Sequence, residues 1–478
     1  MEPLQNVERR FLTDRWQDSG VTYTVTNPAT GEAVAEVADC GAEEGRAAAQ
    51  VAWDAYQSWR QVSAFERSDV LMRWHDAMMA DQERLARTMS QEMGKPLREA
   101  RGEVAYAAGF VRWYAEEAKR VYGETFPSHV ANKRLMAIRQ PVGPVFGITP
   151  WNFPLAMVTR KAAPALAAGC TFVLKPAEQT PLSALLLGEL WERAGGPAGT
   201  LQVLPARDPV PVSDALMEDP RIRKLTFTGS TEVGRILYGK SARTIKKLSL
   251  ELGGHAPYLV FDDADLERAV EQVIACKYRN AGQTCVCTNR IYVHKGIADA
   301  FVERYVAATN ELVVGDPLQD ATDIGPLVDA AGLDKVQQHV QDALAKGATV
   351  AAGGRALQGL YFAPTVLLGV TADMQLMQEE TFGPVSPILT FEHDEEAVRA
   401  ANDTPYGLAA YIYTNDLSRA FRVSEALEYG IVGVNDGVPS VPYAPFGGVK
   451  QSGLGREGGP WGIEEYLETK FISLALPR

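Results

Sequence analysis

The sequence predicts an α/β protein built as two unlike lobes with a cleft between them. Three observations carry that expectation. From about residue 142, short β-branched runs alternate with helical segments, the mark of βαβ units around a parallel sheet whose ligand loops lie at the C-terminal ends of the strands. A second α/β series runs from about 257 to 440. The chain has 478 residues, 46% of them hydrophobic, enough for about two or three domains.

In chain order, residues 64 to about 121 come first and read as helices. Val70, Leu71, Trp74, Ala77 and Met78 fall on one face of the first, and Val104, Ala108, Val111, Ala115 and Ala118 line one face of the second, at the spacing that buries a helical stripe. Residues 122–141 have their own alternation and, with the tail 466–478, could pair against another subunit. The βαβ series then reads "PVFGI", a helix over 155–168, "TFVLK", 181–193, "TLQVL", 211–217, "KLTFT", 231–241 and "KKLSLEL". There is no repeat of fixed period.

A net charge of −13 argues against a nucleic-acid partner. The longest mostly apolar segment runs only from Ala162 to Leu174 and is broken by Pro164 and Gly169, too short to span a membrane. Arg9-Arg10-Phe11-Leu12 resembles a twin-arginine export signal, but the polar "TDRWQDSG" follows where an apolar stretch is required. With five cysteines, an odd and sparse count, the expectation is a reducing cytoplasm.

Two of those cysteines stand one residue apart in "NAGQTCVCTNR". A zinc site needs four ligands, usually from C-x₂₋₄-C pairs, and six scattered histidines do not supply them, so no metal is expected. A disulfide between Cys285 and Cys287 would lie near the strained limit of Cα separation. The helix-then-glycine character of "RNAGQT" can lift a side chain from a helix end into a cleft, which makes a nucleophile possible; a small core-filling thiol is the other reading.

The segments "GITPWNFP", "KPAEQTP", "FTGSTEVG", "SLELGGHAP", "NAGQTCVCTNR", "EETFGPV" and "PFGGVKQSGLGREG" resemble, in order and spacing, the signatures of the aldehyde dehydrogenase superfamily, from "NPATGE" to the C-terminus. "MVTRK", "GLGREG" and the cysteine segment are most similar to its succinate-semialdehyde branch, with Tyr278 where that branch often has Phe. The resemblance implies an aldehyde-dehydrogenase-like α/β fold: a Rossmann-type NAD-binding domain (1–121 and 142–251), an α/β catalytic domain (252–443) and a small β oligomerisation element (122–141 and 466–478). It implies a homodimer or homotetramer acting on a small aldehyde.

The resemblance also assigns roles. Cys285 becomes the nucleophile, because hydride transfer from an aldehyde needs a covalent adduct first and a thiolate makes it well. The Asn152 amide and the Cys285 backbone N–H would stabilise the oxyanion. Glu251 would activate water to hydrolyse the thioester; at the end of "KLSL" its desolvation would raise its pKa. The usual G-x-G-x-x-G is absent from "FTGSTEVG", yet a helix start offers free N–H groups to a pyrophosphate, and Gly229 and Ser230 match that place. Thr149, Trp151, Asn152 and Leu252 match positions around the cofactor, Lys175 and Glu178 the adenosine ribose, and Glu380 and Phe382 the nicotinamide end.

A carboxylate at Glu178 accepts from a ribose 2′-OH and repels a 2′-phosphate, which favours NAD without excluding NADP. Arg160, Arg279 and Ser440 match the carboxylate-binding positions of the succinate-semialdehyde branch, and a guanidinium holds a carboxylate by two parallel hydrogen bonds. Glu457 matches a proton-relay carboxylate. His255 stands where the family often has Asn, and Cys287 is expected to form a reversible, strained disulfide with Cys285 under oxidation. The competing expectations are an enzyme for another short acidic or polar aldehyde such as glutarate semialdehyde, and a non-catalytic protein of the same fold.

Overall fold

A computed structural model of the chain describes residues 7–477. Residues 1–6 and 478, the outermost parts of the segments 1–121 and 466–478, lie outside the described residues. Two large sheets dominate. The first places Gly453–Leu454, Lys247–Glu251, Lys224–Thr228, Val145–Ile148, Phe172–Lys175, Leu201–Val203, Arg10–Leu12 and Trp16–Asp18 side by side. Its five central strands, from Lys247–Glu251 to Leu201–Val203, are parallel.

Phe172 and Leu174 enter one buried cluster and Val173 enters another on the opposite side, as the two-residue period of a strand requires. Both faces are therefore covered, which is why these strands are continuous apolar runs. On one face lies the helix Ala156–Ala168, buried along its whole length. Against it pack Ala64–Ala80 and Leu97–Glu117, and Gln82–Met93 packs on the latter.

The expected helical stretch is thus three helices, divided at Asp81 and at Gly94, whose φ of 84° ends the second. The predicted stripes are buried except Ala77, which is half-buried. An additional helix, Ala42–Trp59, precedes them, its start capped where Glu44 accepts from the Gly41 N–H at 2.8 Å.

Leu252 to His255 carry the chain directly into the second sheet, ordered Thr349–Ala352, Thr365–Leu368, Val385–Phe391, Thr288–His294, Ala256–Val260, Ala409–Tyr413 and Ile431–Val434. All its pairings are parallel except the first. A third, antiparallel sheet joins Glu124–Phe126, Lys133–Pro141 and Leu467–Ala475. Phe126 and Phe471 stack on it at 6.0 Å, both exposed. Among the described residues no helix is long and apolar enough to cross a membrane, and no group of His, Cys, Asp and Glu could hold a metal ion.

Candidate active site

The segment carrying Cys285 is an unusual turn. The helix Leu266–Tyr278 stops, and Asn280 (φ 54°), Ala281 (φ 55°) and Gly282 (φ 75°) follow in the left-handed region, where a non-glycine residue costs about 1–3 kcal/mol. Side chains hold the turn. The Asn280 amide donates to the carbonyls of Asn152 (3.1 Å) and Gln283 (3.2 Å), and its backbone N–H donates to Glu99 at 2.8 Å. Gln283 donates to the Asn280 carbonyl and accepts from the Val328 N–H, each at 3.0 Å. At Gly282 an added Cβ would overlap the Gly383 carbonyl, so only glycine fits.

This turn sets Cys285 in the wall between two cavities. The first, of about 330 Å³, is lined by Cys285, Arg160, Arg279 and Ser440, together with Tyr106, Phe153, Met157 and Phe446. All three residues expected to bind a carboxylate are therefore brought together beside the thiol. Arg160 is fully buried, ion-paired with Glu457, and stacked 4.1 Å over Phe446. Arg279 lies 5.4 Å over the Phe153 ring, and its Nε is buried with no hydrogen-bond partner among the described residues.

The second cavity, of about 490 Å³, is lined by Cys285, Trp151, Asn152, Gly229, Ser230, Leu252, Glu380 and Phe382. Ser230 caps the helix Thr231–Ser241, accepting from the Val233 N–H at 3.3 Å, and leaves earlier N–H groups of that helix facing outward. A Cβ on Gly229 would overlap the Phe227 ring, so the backbone alone forms this part of the wall. Trp151 meets Phe382 edge-on at 5.4 Å. Glu380 accepts from the Gly254 N–H at 3.2 Å, and burial pushes its pKa up to about 7.

Thr149, Lys175 and Glu178 are not among the lining residues of this cavity. They sit beyond it at the ends of adjacent strands, Thr149 donating its N–H to the Lys175 carbonyl at 3.3 Å and Lys175 pairing with Glu178 at 3.0 Å. Of the cavity's other walls, Gln283 and Thr381 sit inside "NAGQTCVCTNR" and "EETFGPV", which assign them no role, whereas no local pattern distinguishes Asp329 and Lys335.

Burial pushes the Cys285 thiol up to about 12, with Arg160 and Arg279 acting in the opposite direction. Asn152 uses one amide N–H on the Gln283 carbonyl at 3.1 Å, and an amide carries a second. Glu251 ends the strand Lys247–Glu251 but lines neither cavity. Its carboxylate faces Gly447, where an added Cβ would lie 2.8 Å from Oε1. Both its oxygens are buried without a hydrogen-bond partner among the described residues, and burial, then the nearby Glu457, raise its pKa well above the ordinary value.

Against the effect of burial, Arg160 and Lys161 hold the Glu457 carboxyl below the usual range. Cys287 also lines neither cavity: its thiol donates to the Gly282 carbonyl at 3.2 Å beside Lys277. All five cysteines are free. His255 is buried, its Nε2 on the Leu376 carbonyl at 3.1 Å, and burial depresses its pKa well below the ordinary value, as fits a packing residue.

Residues 16–472 match the family model described as aldehyde dehydrogenase family. A glutarate-semialdehyde dehydrogenase of Pseudomonas putida is 53% identical over 98% of both chains. A succinate-semialdehyde dehydrogenase [NADP(+)] of Escherichia coli is likewise 53% identical over 98% of each. The crystal structure of an E. coli NADP-dependent enzyme superposes with a TM-score of 0.98 at 52% identity, covering all of both chains. With a thiol between two cavities and a family match along nearly its whole length, this chain belongs to the aldehyde dehydrogenase family.

Proposed function

We propose that this chain oxidises a short aldehyde carrying a terminal carboxylate, succinate semialdehyde first, to the corresponding acid with NAD as the hydride acceptor. The observation that carries the proposal is the sharing of Cys285 between a cavity lined by Arg160, Arg279 and Ser440 and one lined by Ser230, Glu380 and Phe382. In and behind the first cavity, Lys95, Arg160, Lys161 and Arg279 face Glu99, Glu103 and Glu457. Glu251 also acts on Arg160 and Lys161. Of these cations only Arg279 has no ion pair among the described residues, and a substrate carboxylate supplies one.

On this reading the Cys285 thiolate adds to the aldehyde carbon, and the second Asn152 N–H with the Cys285 N–H takes the negative oxygen. The start of Thr231–Ser241 would hold NAD with Glu380 and Phe382 at its reactive end, where it would supply the hydride acceptor, and loss of hydride from the adduct leaves a thioester on Cys285. Glu251 then turns from Gly447 toward the thioester, removes a proton from water as the water oxygen attacks the acyl carbon, and the thiolate departs. Trp151 and Leu252 shape the cofactor wall, and Thr149 lies beyond it, donating its N–H to the Lys175 carbonyl.

Lys175 and Glu178 take the adenosine ribose, where the Glu178 carboxylate disfavours a 2′-phosphate; NADP is the second cofactor to measure, because the E. coli relative is named for it. The two lobes act as cofactor-binding (1–121, 142–251) and catalytic (252–443) domains. The chain assembles as a homodimer or homotetramer through 122–141 and 466–478, supported by the exposed Phe126 and Phe471, and works in the cytoplasm.

Steady-state NADH or NADPH formation from succinate semialdehyde, glutarate semialdehyde and butanal tests the reading. Acidic aldehydes should exceed butanal by roughly 100-fold in kcat/KM, the factor that about 3 kcal/mol of charge-assisted hydrogen bonding supplies. Glutarate semialdehyde is the second candidate, since the P. putida relative named for it is as similar as the E. coli one. Equal rates with butanal would refute a carboxylate-selecting site.

A further inference from the structure

We propose that Lys95, Glu99 and Glu103, at and beyond the start of the helix Leu97–Glu117, form a positioning element that locks the Asn152 loop and the Cys285 loop into a single geometry. The three residues recur every fourth position and face the aldehyde cavity. Lys95 and Glu103 are ion-paired with both side chains buried. From that pair, Lys95 donates to the Asn152 carbonyl at 2.8 Å, and Glu103 accepts from the N–H groups of Leu155 (3.0 Å) and Ala156 (3.2 Å). Glu103 thereby caps the helix Ala156–Ala168 that carries Arg160.

One turn away, Glu99 accepts from the Asn280 N–H at 2.8 Å, inside the left-handed turn that presents Cys285. The two loops meet at two shared acceptors. The Asn152 carbonyl takes Lys95 and the Asn280 amide, and the Gln283 carbonyl takes the amides of Asn152 and Asn280. Lys95 also lies 3.8 Å over the Phe153 ring, the ring that Arg279 faces at 5.4 Å. A charged pair buried this deeply adds little net stability against an apolar replacement. Its contacts instead converge on the two groups whose separation the oxyanion depends on, and a displacement near 1 Å there lowers rates by roughly 100-fold.

The inference rests on the proposed thiohemiacetal chemistry at Cys285. Its test is single-turnover NADH formation with enzyme in excess of aldehyde, where the rate constant at saturating enzyme is independent of the folded fraction. Three variants are compared: Lys95→Met with Glu103→Gln, which leaves no unpaired buried charge; Glu99→Ala; and Glu99→Gln, which keeps an acceptor oxygen. The first two should slow the single turnover roughly 10- to 100-fold with the KM for NAD within about twofold, and Glu99→Gln should recover most of the loss. A wild-type rate constant in Glu99→Ala, with only the yield of folded protein reduced, would make the element structural and overturn the proposal. So would a change confined to KM for acidic aldehydes, which would make Glu99 a charge partner of Arg279. Should the double variant not fold, the Glu99 pair decides. Absence of NADH from any aldehyde in the wild type would instead fail the underlying reading of Cys285, and this proposal with it.

Discussion

Replacing Arg279 by Met should remove selection for a terminal carboxylate while sparing the chemistry. Arg160 is committed, ion-paired with Glu457 and with a terminal nitrogen 3.0 Å from the Met157 sulfur. Arg279 has a buried Nε without a partner among the described residues and belongs to no ion pair found among them. The donors most available to a substrate carboxylate are therefore its own. Each charge-assisted hydrogen bond contributes about 1.5–3 kcal/mol; a bidentate pair at a half-buried guanidinium, discounted for screening, comes to about 3 kcal/mol.

At 1.4 kcal/mol per tenfold, kcat/KM for succinate semialdehyde should fall by roughly 100-fold, mostly through KM. Glu99, left facing the cavity without that cation, adds repulsion in the same direction. Butanal, matched in chain length but lacking the carboxylate, should change by about threefold or less. The assay is NADH absorbance with both aldehydes on both proteins. A parallel fall for both substrates would place Arg279 in the scaffold of the Cys285 turn and refute the carboxylate argument.

Glu251→Gln should abolish steady turnover, by roughly 100- to 10,000-fold, while leaving one NADH per active site, because only hydrolysis of the thioester needs the base; a rapid-mixing trace checks this. In the wild type, burial and then Glu457 raise the Glu251 pKa, so the basic form accumulates as pH rises and kcat should climb toward alkaline pH. The same raised folded-state pKa means that stability present at acid pH is lost as pH rises through it. In urea melts Glu251→Gln should lose less stability than wild type as pH rises above the ordinary carboxylate range.

Glu178→Ser should raise NADP use relative to NAD by roughly 5- to 30-fold, since repulsion near a half-exposed carboxylate comes to about 1–2 kcal/mol; the ratio of kcat/KM values reads it. For Cys287, peroxide inactivation should reverse with added thiol in wild type and not in Cys287→Ala. A bridge to Cys285 requires the segment 282–287 to shift, because the Cys287 thiol donates to the Gly282 carbonyl.

Features repeated along the chain were legible in the sequence. The βαβ alternation marked the five parallel strands of the first sheet but not its outer strands Arg10–Leu12, Trp16–Asp18 and Gly453–Leu454, and stripes such as Val104, Ala108 and Val111 marked buried helix faces. The helix Ala42–Trp59 was not anticipated, its alanines giving weak contrast between the faces of the stripe. Motif resemblance located Cys285, Arg160, Arg279 and Ser440, which the fold brings to one cavity. Lys95, Glu99 and Glu103 carried no signal, because charges every fourth residue on a helix usually mark a solvated face. Only tertiary packing reveals that this face is turned inward. The orientation of Glu251 was equally hidden: a strand end predicts where a carboxylate sits, whereas its side-chain direction depends on Gly447, nearly two hundred residues away.

The short crossing between the sheets explains why the reacting groups can be both close and independent. Glu251 ends a strand of the first sheet and Ala256 begins one of the second, so Leu252 to His255 pass Cys285 within four residues. Gly254 runs so near Cys285 that a Cβ would overlap its carbonyl, and a Cβ on Gly253 would lie 3.2 Å from the Glu380 carboxylate. The Gly254 N–H, donated to Glu380, ties the crossing to the cofactor wall. The backbone is thereby fixed against both cavities. The Glu251 side chain, at the end of its strand, has no hydrogen bond to hold it among the described residues and so is free to turn. On the proposed mechanism that freedom lets the base stay against Gly447 while hydride leaves and turn to the thioester afterwards, so the glycines that fix the crossing and the unbonded carboxylate that precedes it are two halves of one arrangement.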